Sequence, residues 1–173
     1  GVQTCALPIL RLDGEGLNLT RVLINGQGRS FRHGNGQLLI DDVPEVFELE
    51  LLTTCSPQAN TELMGLYVSG GSFFTQCEAQ GFRRITYFTD RPDVMATYTV
   101  TLRANKAQYP VLLSNGNLSE QADLPNGLHS ATWHDPHRKP CYLFALVAGQ
   151  LVAREQRIRA RNGNEHLLQI YVR

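Results

Sequence analysis

The 173-residue sequence predicts an all-β, antiparallel, sandwich-like domain, and three observations carry that prediction. Asn-Gly pairs recur at Asn25-Gly26, Asn35-Gly36, Asn115-Gly116, Asn126-Gly127 and Asn162-Gly163. Both residue types tolerate the positive φ that tight hairpin turns demand. Between the pairs lie short runs in which apolar residues recur at every second position, the period of a half-buried strand. No segment longer than about ten residues carries a convincing 3.6-residue period.

Taken in order, the first nine residues, GVQTCALPI, fit nothing that follows. They have no basic leader and no apolar stretch of signal-peptide type. They are similar to a translated sequencing-adapter scar, so residues 1–9 are expected to be non-native and 10–173 to form the domain. The run from Leu19 to Asn25 alternates only in part. Val46 to Leu52 alternates well, with Phe47, Leu49 and Leu51 on one face and Glu48 and Glu50 on the other. Arg83 to Phe88 reads as a strand, and Asp90 to Asp93 as a turn locked by charge, with Pro92 fixing φ. Thr97 to Ala104 places Tyr98, Val100 and Leu102 opposite Thr97, Thr99, Thr101 and Arg103. Cys141 to Ala148 is apolar on both faces, as in a central strand covered on both sides. A short buried helix fits its hydrophobicity too, but Lys139-Pro140 before it and Gly149 after it favour the strand. Residues 151–159 and 166–172 read as a hairpin around Arg161-Asn162-Gly163-Asn164. No repeat or linker divides the chain, which is long enough for one domain with its own core.

Composition narrows the function. Lys+Arg and Asp+Glu are both 16, for a formal net charge of zero. That balance speaks against nucleic acid or an acidic membrane surface as partner. The longest apolar run, Tyr142 to Ala148, is far shorter than the roughly 20 residues a membrane helix needs. The four cysteines match no zinc or CxxC spacing and read as reduced thiols, which fits a cytoplasmic protein. His134 and His137 form HxxH, but no third ligand of suitable spacing lies nearby, so no metal is expected there.

The stretch from Thr75 to Asp93, TQCEAQGFRRITYFTDRPD, is the densest run of polar, charged and aromatic residues. Gln76, Cys77 and Glu78 offer an amide, a thiol and a carboxylate in a loop between strands. If the segment is extended, Gln76 and Glu78 project to one face. Ala79 and Gly81 are small and allow close approach of a substrate or of another domain. Cys77 is either a reactive thiol beside the site or a small buried packing residue.

TQCEAQGFRRITYFTDRPDV, with YPVLLSNGN, WHDPHRKPCYLFALVAG, RLDGEGLNLTRVLING and SPQANTELMGLYVSG, closely resembles the N-terminal β domain of M1-family zinc aminopeptidases, in the bacterial aminopeptidase N branch. The resemblance runs from about Leu10 to Arg173. It implies a saddle-shaped β domain, incomplete here at its N-terminus by about three strands. By the same resemblance, Glu78 of the QxE motif binds the free α-ammonium of a peptide substrate, and Gln76 lines the pocket for the first side chain. Arg83, Arg84, Asp90, Arg91 and Asp93 brace the loop, with Cys77 and Ala79 adjacent to the site. The bacterial enzymes commonly carry Glu where this chain has Gln80.

In the family, the two histidines of HExxH and a distant Glu hold zinc, the glutamate within HExxH activates water, and GxMEN supplies a second carboxylate for the amine. Neither motif occurs in these residues. The resemblance therefore implies a metallo-aminopeptidase only in the intact protein. Zinc and the catalytic domain would lie outside this chain, which holds no catalytic residue and no metal ligand and is expected to be inactive alone. The rival reading is a non-catalytic β-sandwich module for carbohydrate or peptide. A truncated domain is expected to expose apolar surface and an open strand edge, and a self-contained module is not.

Overall fold

The computed structural model describes residues 8–172. Most of the expected scar, residues 1–7, lies outside the described residues. The first half is built from β1 Leu10–Asp13, β2 Asn18–Ile24, β3 Gln27–Gly28, β4 Phe31–Gly34, β5 Gln37–Ile40, β6 Leu49–Thr54, β7 Gly65–Ser69 and β8 Ser72–Gln76. The second half contains β9 Ala96–Asn105, β10 Val111–Ser114, β11 Asn117–Asp123, β12 Leu128–Lys139, β13 Leu146–Gly149, β14 Val152–Arg159 and β15 Glu165–Val172. All described pairings are antiparallel. The strand orders are β1-β5-β4, β3-β2-β6, β10-β13-β8-β7, β11-β12-β9 and β14-β15.

Two Asn-Gly pairs close two-residue hairpins. Ile24 pairs with Gln27 across Asn25 (φ 52°) and Gly26 (φ 75°), and Gly34 pairs with Gln37 across Asn35 (φ 51°) and Gly36 (φ 76°). Positive φ at both central residues is the turn whose twist matches the flanking strands. Asn115-Gly116 differs: it joins β10 to β11, which belong to different sheets. The partial alternation of residues 19–25 comes from a register shift between Leu19 and Arg21.

Three apolar clusters fill the interior. Leu12, Leu38 and Ile40 of one sheet meet Val22 and Ile24 of another, with Val43 and Tyr87. Phe47, Leu49 and Leu51 pack on this cluster, as the alternation of that run predicts. Leu112, Ala131 and Ala148 form a second cluster between the four-stranded sheet and β11-β12-β9, joined by Phe73, Leu102 and Trp133. Between them, Cys77, Phe82, Cys141 and Phe144 form a third, joined by Tyr98 and Val100.

Two strand expectations fail. Residues 83–88 do not form a strand: Phe82–Arg84 is a turn of 3-10 helix, and only Phe88 makes an isolated bridge, to Asp13. Local bonds from Arg84 N to Gly81 O (3.0 Å) and Ile85 N to Phe82 O (2.9 Å) replace a sheet ladder. Phe82, buried edge-on against Phe88 and Phe144, holds the turn inward. Cys141 to Ala148 is likewise broken, with a 3-10 turn over Cys141–Leu143 and a strand only from Leu146. That strand, β13, is a central one, between β10 and β8.

The β14-β15 hairpin forms where the sequence predicts it. One face carries Val152, Ile158, Leu168, Ile170 and Val172, all exposed.

Candidate functional site

β8 delivers the chain to the site and stops at Gln76. The amide of Gly81 donates to the carbonyl of Cys77 at 2.8 Å, closing residues 77–81 into a tight loop. A Cβ at Gly81 would stand 2.2 Å from Gln76 O, 2.9 Å from Cys77 Cα and 2.9 Å from Gly65 N. All three are backbone atoms and cannot rotate away. The small residue at position 81 thus serves the loop's own closure. Gly81→Ala is expected to destabilise the domain by about 1–3 kcal/mol, read as a lower thermal midpoint; an unchanged midpoint would remove the argument from close approach.

Within the loop the side chains separate. Cys77 turns inward, 3% exposed, and burial beside Asp90 pushes its thiol up to about 12. It is a packing residue and is not poised as a nucleophile. Glu78, Ala79 and Gln80 are exposed and line a cavity of ≈ 250 Å³ with Asp90, Pro92 and Tyr142. Gln76 does not line it; its side-chain amide donates to the carbonyl of Glu78 at 3.2 Å. The segment is not extended beyond Gln76, so the period-two argument for a shared face does not hold. The Glu78–Ala79 peptide bond is cis.

Asp90 is the hub beneath the loop, 4% exposed. Its carboxylate accepts from Arg83 N at 3.2 Å, from Arg83 Nε at 2.9 Å and from the Cys141 thiol at 3.0 Å. Asp90 N donates to Asp13 Oδ2 at 3.2 Å, which ties the loop to β1. Burial and this carboxylate together push the Cys141 thiol up to about 12.

The other arginines of the stretch are also engaged. Arg84 lies 2.7 Å from both Glu15 and Glu62, and Arg91 pairs with Asp93. Contact with Arg91 holds the Asp93 carboxyl below its ordinary value. Glu78 is left out: its carboxylate has no hydrogen-bond or ion-pair partner among the described residues. The site therefore presents one uncompensated exposed carboxylate beside arginines, Arg83, Arg84 and Arg91, that are already paired with other carboxylates, an arrangement suited to receiving a cation from outside.

Tyr142 is the cavity residue that the sequence reading missed. It sits within an apolar run, which signals burial without saying which cavity a ring will face. Among the described residues no group of three or more His, Cys, Asp or Glu is placed to hold a metal ion. His134 Nδ1 instead lies 2.9 Å from Thr99 Oγ1.

Comparison with known proteins bears on the family and the fold. The chain is 49% identical over 164 residues to aminopeptidase N of Escherichia coli (strain K12), covering 94% of this chain and 19% of that protein. It is 43% identical over 167 residues to aminopeptidase N of Haemophilus influenzae, with 94% and 19% covered. The chain thus spans about a fifth of the length of these curated relatives. The crystal structure of Legionella pneumophila aminopeptidase A in complex with aspartic acid matches with a TM-score of 0.90 and 40% identity, over 94% of this chain and 20% of that one. An M1 zinc metallopeptidase from Deinococcus radiodurans shares the fold, with a TM-score of 0.79 and 20% identity over 95% of this chain and 39% of that one. Residues 34–143 match the peptidase M1 N-terminal domain family, to which this chain belongs.

Proposed function

We propose that the chain is the amine-recognising N-terminal domain of a zinc-dependent aminopeptidase that releases N-terminal amino acids from peptides. The observation that carries this reading is the unpaired Glu78 carboxylate, set in a family whose similar members are aminopeptidases. A free N-terminus differs from every other point on a peptide by its positive charge. A fixed carboxylate that binds this charge sets which peptide bond reaches the reaction centre. Gln76 lies outside the cavity lining and would act on the first-side-chain pocket indirectly, through its bond to the Glu78 carbonyl, which steadies the loop carrying the anchor. Ala79 leaves room for a ligand beside Glu78.

The residues of this chain do not fit a zinc site: HExxH is absent, and the described residues bring no set of metal-binding side chains together. Zinc would belong to the catalytic domain of the intact protein, and that domain is the partner this one would cap. No described helix is long and apolar enough to cross a membrane. A cytoplasmic location is supported by the free thiols of Cys55, Cys77 and Cys141.

The test compares an alanyl substrate with its N-acetylated form in the full-length protein. The free amine is expected to be preferred by about 30-fold or more, the loss that follows when a charge pair loses one partner. Equal cleavage of both forms would end the chain-end reading. Cleavage of neither would favour a non-catalytic binding module.

A further inference from the structure

We infer that Tyr142 is a specificity-determining residue of the same pocket, the aromatic wall against which the side chain of a peptide's first residue packs. The inference rests on the amine-anchor reading of Glu78.

Three segments distant in sequence converge on the ≈ 250 Å³ cavity: the loop carrying Glu78, the Asp90–Pro92 turn and the turn carrying Tyr142. The volume is below that of pockets enclosing drug-sized ligands, roughly 300–1,000 Å³, and suits one side chain. Of the lining residues, Glu78, Gln80 and Asp90 are polar and Ala79 offers only a methyl group. Apolar shape selection therefore falls on Pro92 and the larger ring of Tyr142.

The wall is held in place. Cys141, 1% exposed, donates its thiol to Asp90 at 3.0 Å. On the other side of Tyr142, Asn115 Nδ2 donates to Leu143 O at 3.0 Å, and Ala145 N donates to Asn115 Oδ1 at 2.6 Å. The turn is thus tied by the Cys141 side chain before the ring and by backbone bonds to Asn115 after it, contacts that resist a retreat of the ring from a bulky ligand. The Tyr142 hydroxyl has no hydrogen-bond partner among the described residues and remains open to a ligand. An aromatic face beside an unpaired carboxylate also favours a ligand that carries an ammonium next to an apolar group. That is the chemistry of a peptide's N-terminal residue.

The test uses the full-length protein with Tyr142→Ala and Tyr142→Trp, each assayed on alanyl and phenylalanyl substrates. The ratio of kcat/KM, phenylalanyl over alanyl, is expected to rise about tenfold in Tyr142→Ala, where the pocket widens, and to fall by a similar factor in Tyr142→Trp. A general folding defect would lower both substrates together and leave the ratio unmoved. An unmoved ratio in both variants overturns the inference. Glu78→Ala, run in parallel, separates the two readings. If it lowers kcat/KM on both substrates while the Tyr142 ratios stay fixed, only the role of Tyr142 fails. If it changes nothing, the anchor itself fails and the pocket assignment goes with it.

Discussion

Replacing Glu78 with alanine in the full-length protein is expected to lower kcat/KM on free-amine peptides by roughly 100-fold, chiefly through a higher KM. Two unit charges about 3 Å apart attract by roughly 5 kcal/mol at an effective dielectric near 20. Desolvation cancels a large part of that. A net contribution of about 2–3 kcal/mol remains, the size of a hydrogen bond to a charged group and about two decades in rate. The same substitution should leave the fold almost untouched, because the Glu78 side chain is exposed and has no partner among the described residues. Surface changes of that kind usually fall within about 0.5 kcal/mol. Zinc content should also be unchanged, since no described cluster holds a metal. Steady-state kinetics, a metal assay and a thermal scan together check all three expectations. An unchanged kcat/KM would remove Glu78 from substrate binding.

Asp90→Ala should act in the opposite sense, on the fold first and on activity through it. Asp90 accepts the backbone amide and Nε of Arg83 and the Cys141 thiol while 4% exposed. Alanine would leave the Arg83 guanidinium, 19% exposed, with Asp13 at 3.8 Å as its remaining carboxylate contact. Breaking one side of a buried ion pair costs about 3–5 kcal/mol. For a domain of this size that lowers Tm by roughly 10 °C. Thermal unfolding measures it directly. Asp90→Asn keeps the shape and one acceptor oxygen, and should fall between the two. If Asp90→Ala melts within about 2 °C of the parent, the hub beneath the Glu78 loop is not a structural brace.

How far the sequence could reach depends on whether a contact is local. Alternation in Phe47-Leu49-Leu51 and in Tyr98-Val100-Leu102 names the inward faces, because a strand's period alone decides them. Asn25-Gly26 and Asn35-Gly36 name their turns through φ. Gly70-Gly71, which closes the hairpin between Ser69 and Ser72, has positive φ at both residues and carries the same signal. Arg83 to Phe88 was legible only in part. Its residues favour a strand, but Asp90 captures Arg83 and Phe82 plugs a core built from β9, β13 and the Cys141 turn. Those contacts come from residues up to about sixty positions away, and no local pattern shows them. The same limit applies to Cys141 to Ala148. Cys141 and Phe144 both point into the core across a 3-10 turn, and an apolar run reads the same whether it turns or extends.

In the site, Glu78 and Ala79 reach the cavity from the segment that the sequence singled out, whereas Gln76 bonds within the loop and Cys77 packs inward. Direction at a strand's end is set by where the strand stops, and β8 stops one residue before the chain would have held its alternation. Tyr142 could not be assigned to the cavity before the fold placed its turn beside Asp90.

The most direct test is a crystal structure of the full-length protein with a free amino acid bound. The expected result is the ligand's ammonium nitrogen within about 3 Å of a Glu78 carboxylate oxygen, a charge-assisted bond. An amino acid bound with its ammonium held by other groups, and Glu78 facing solvent, would contradict the account.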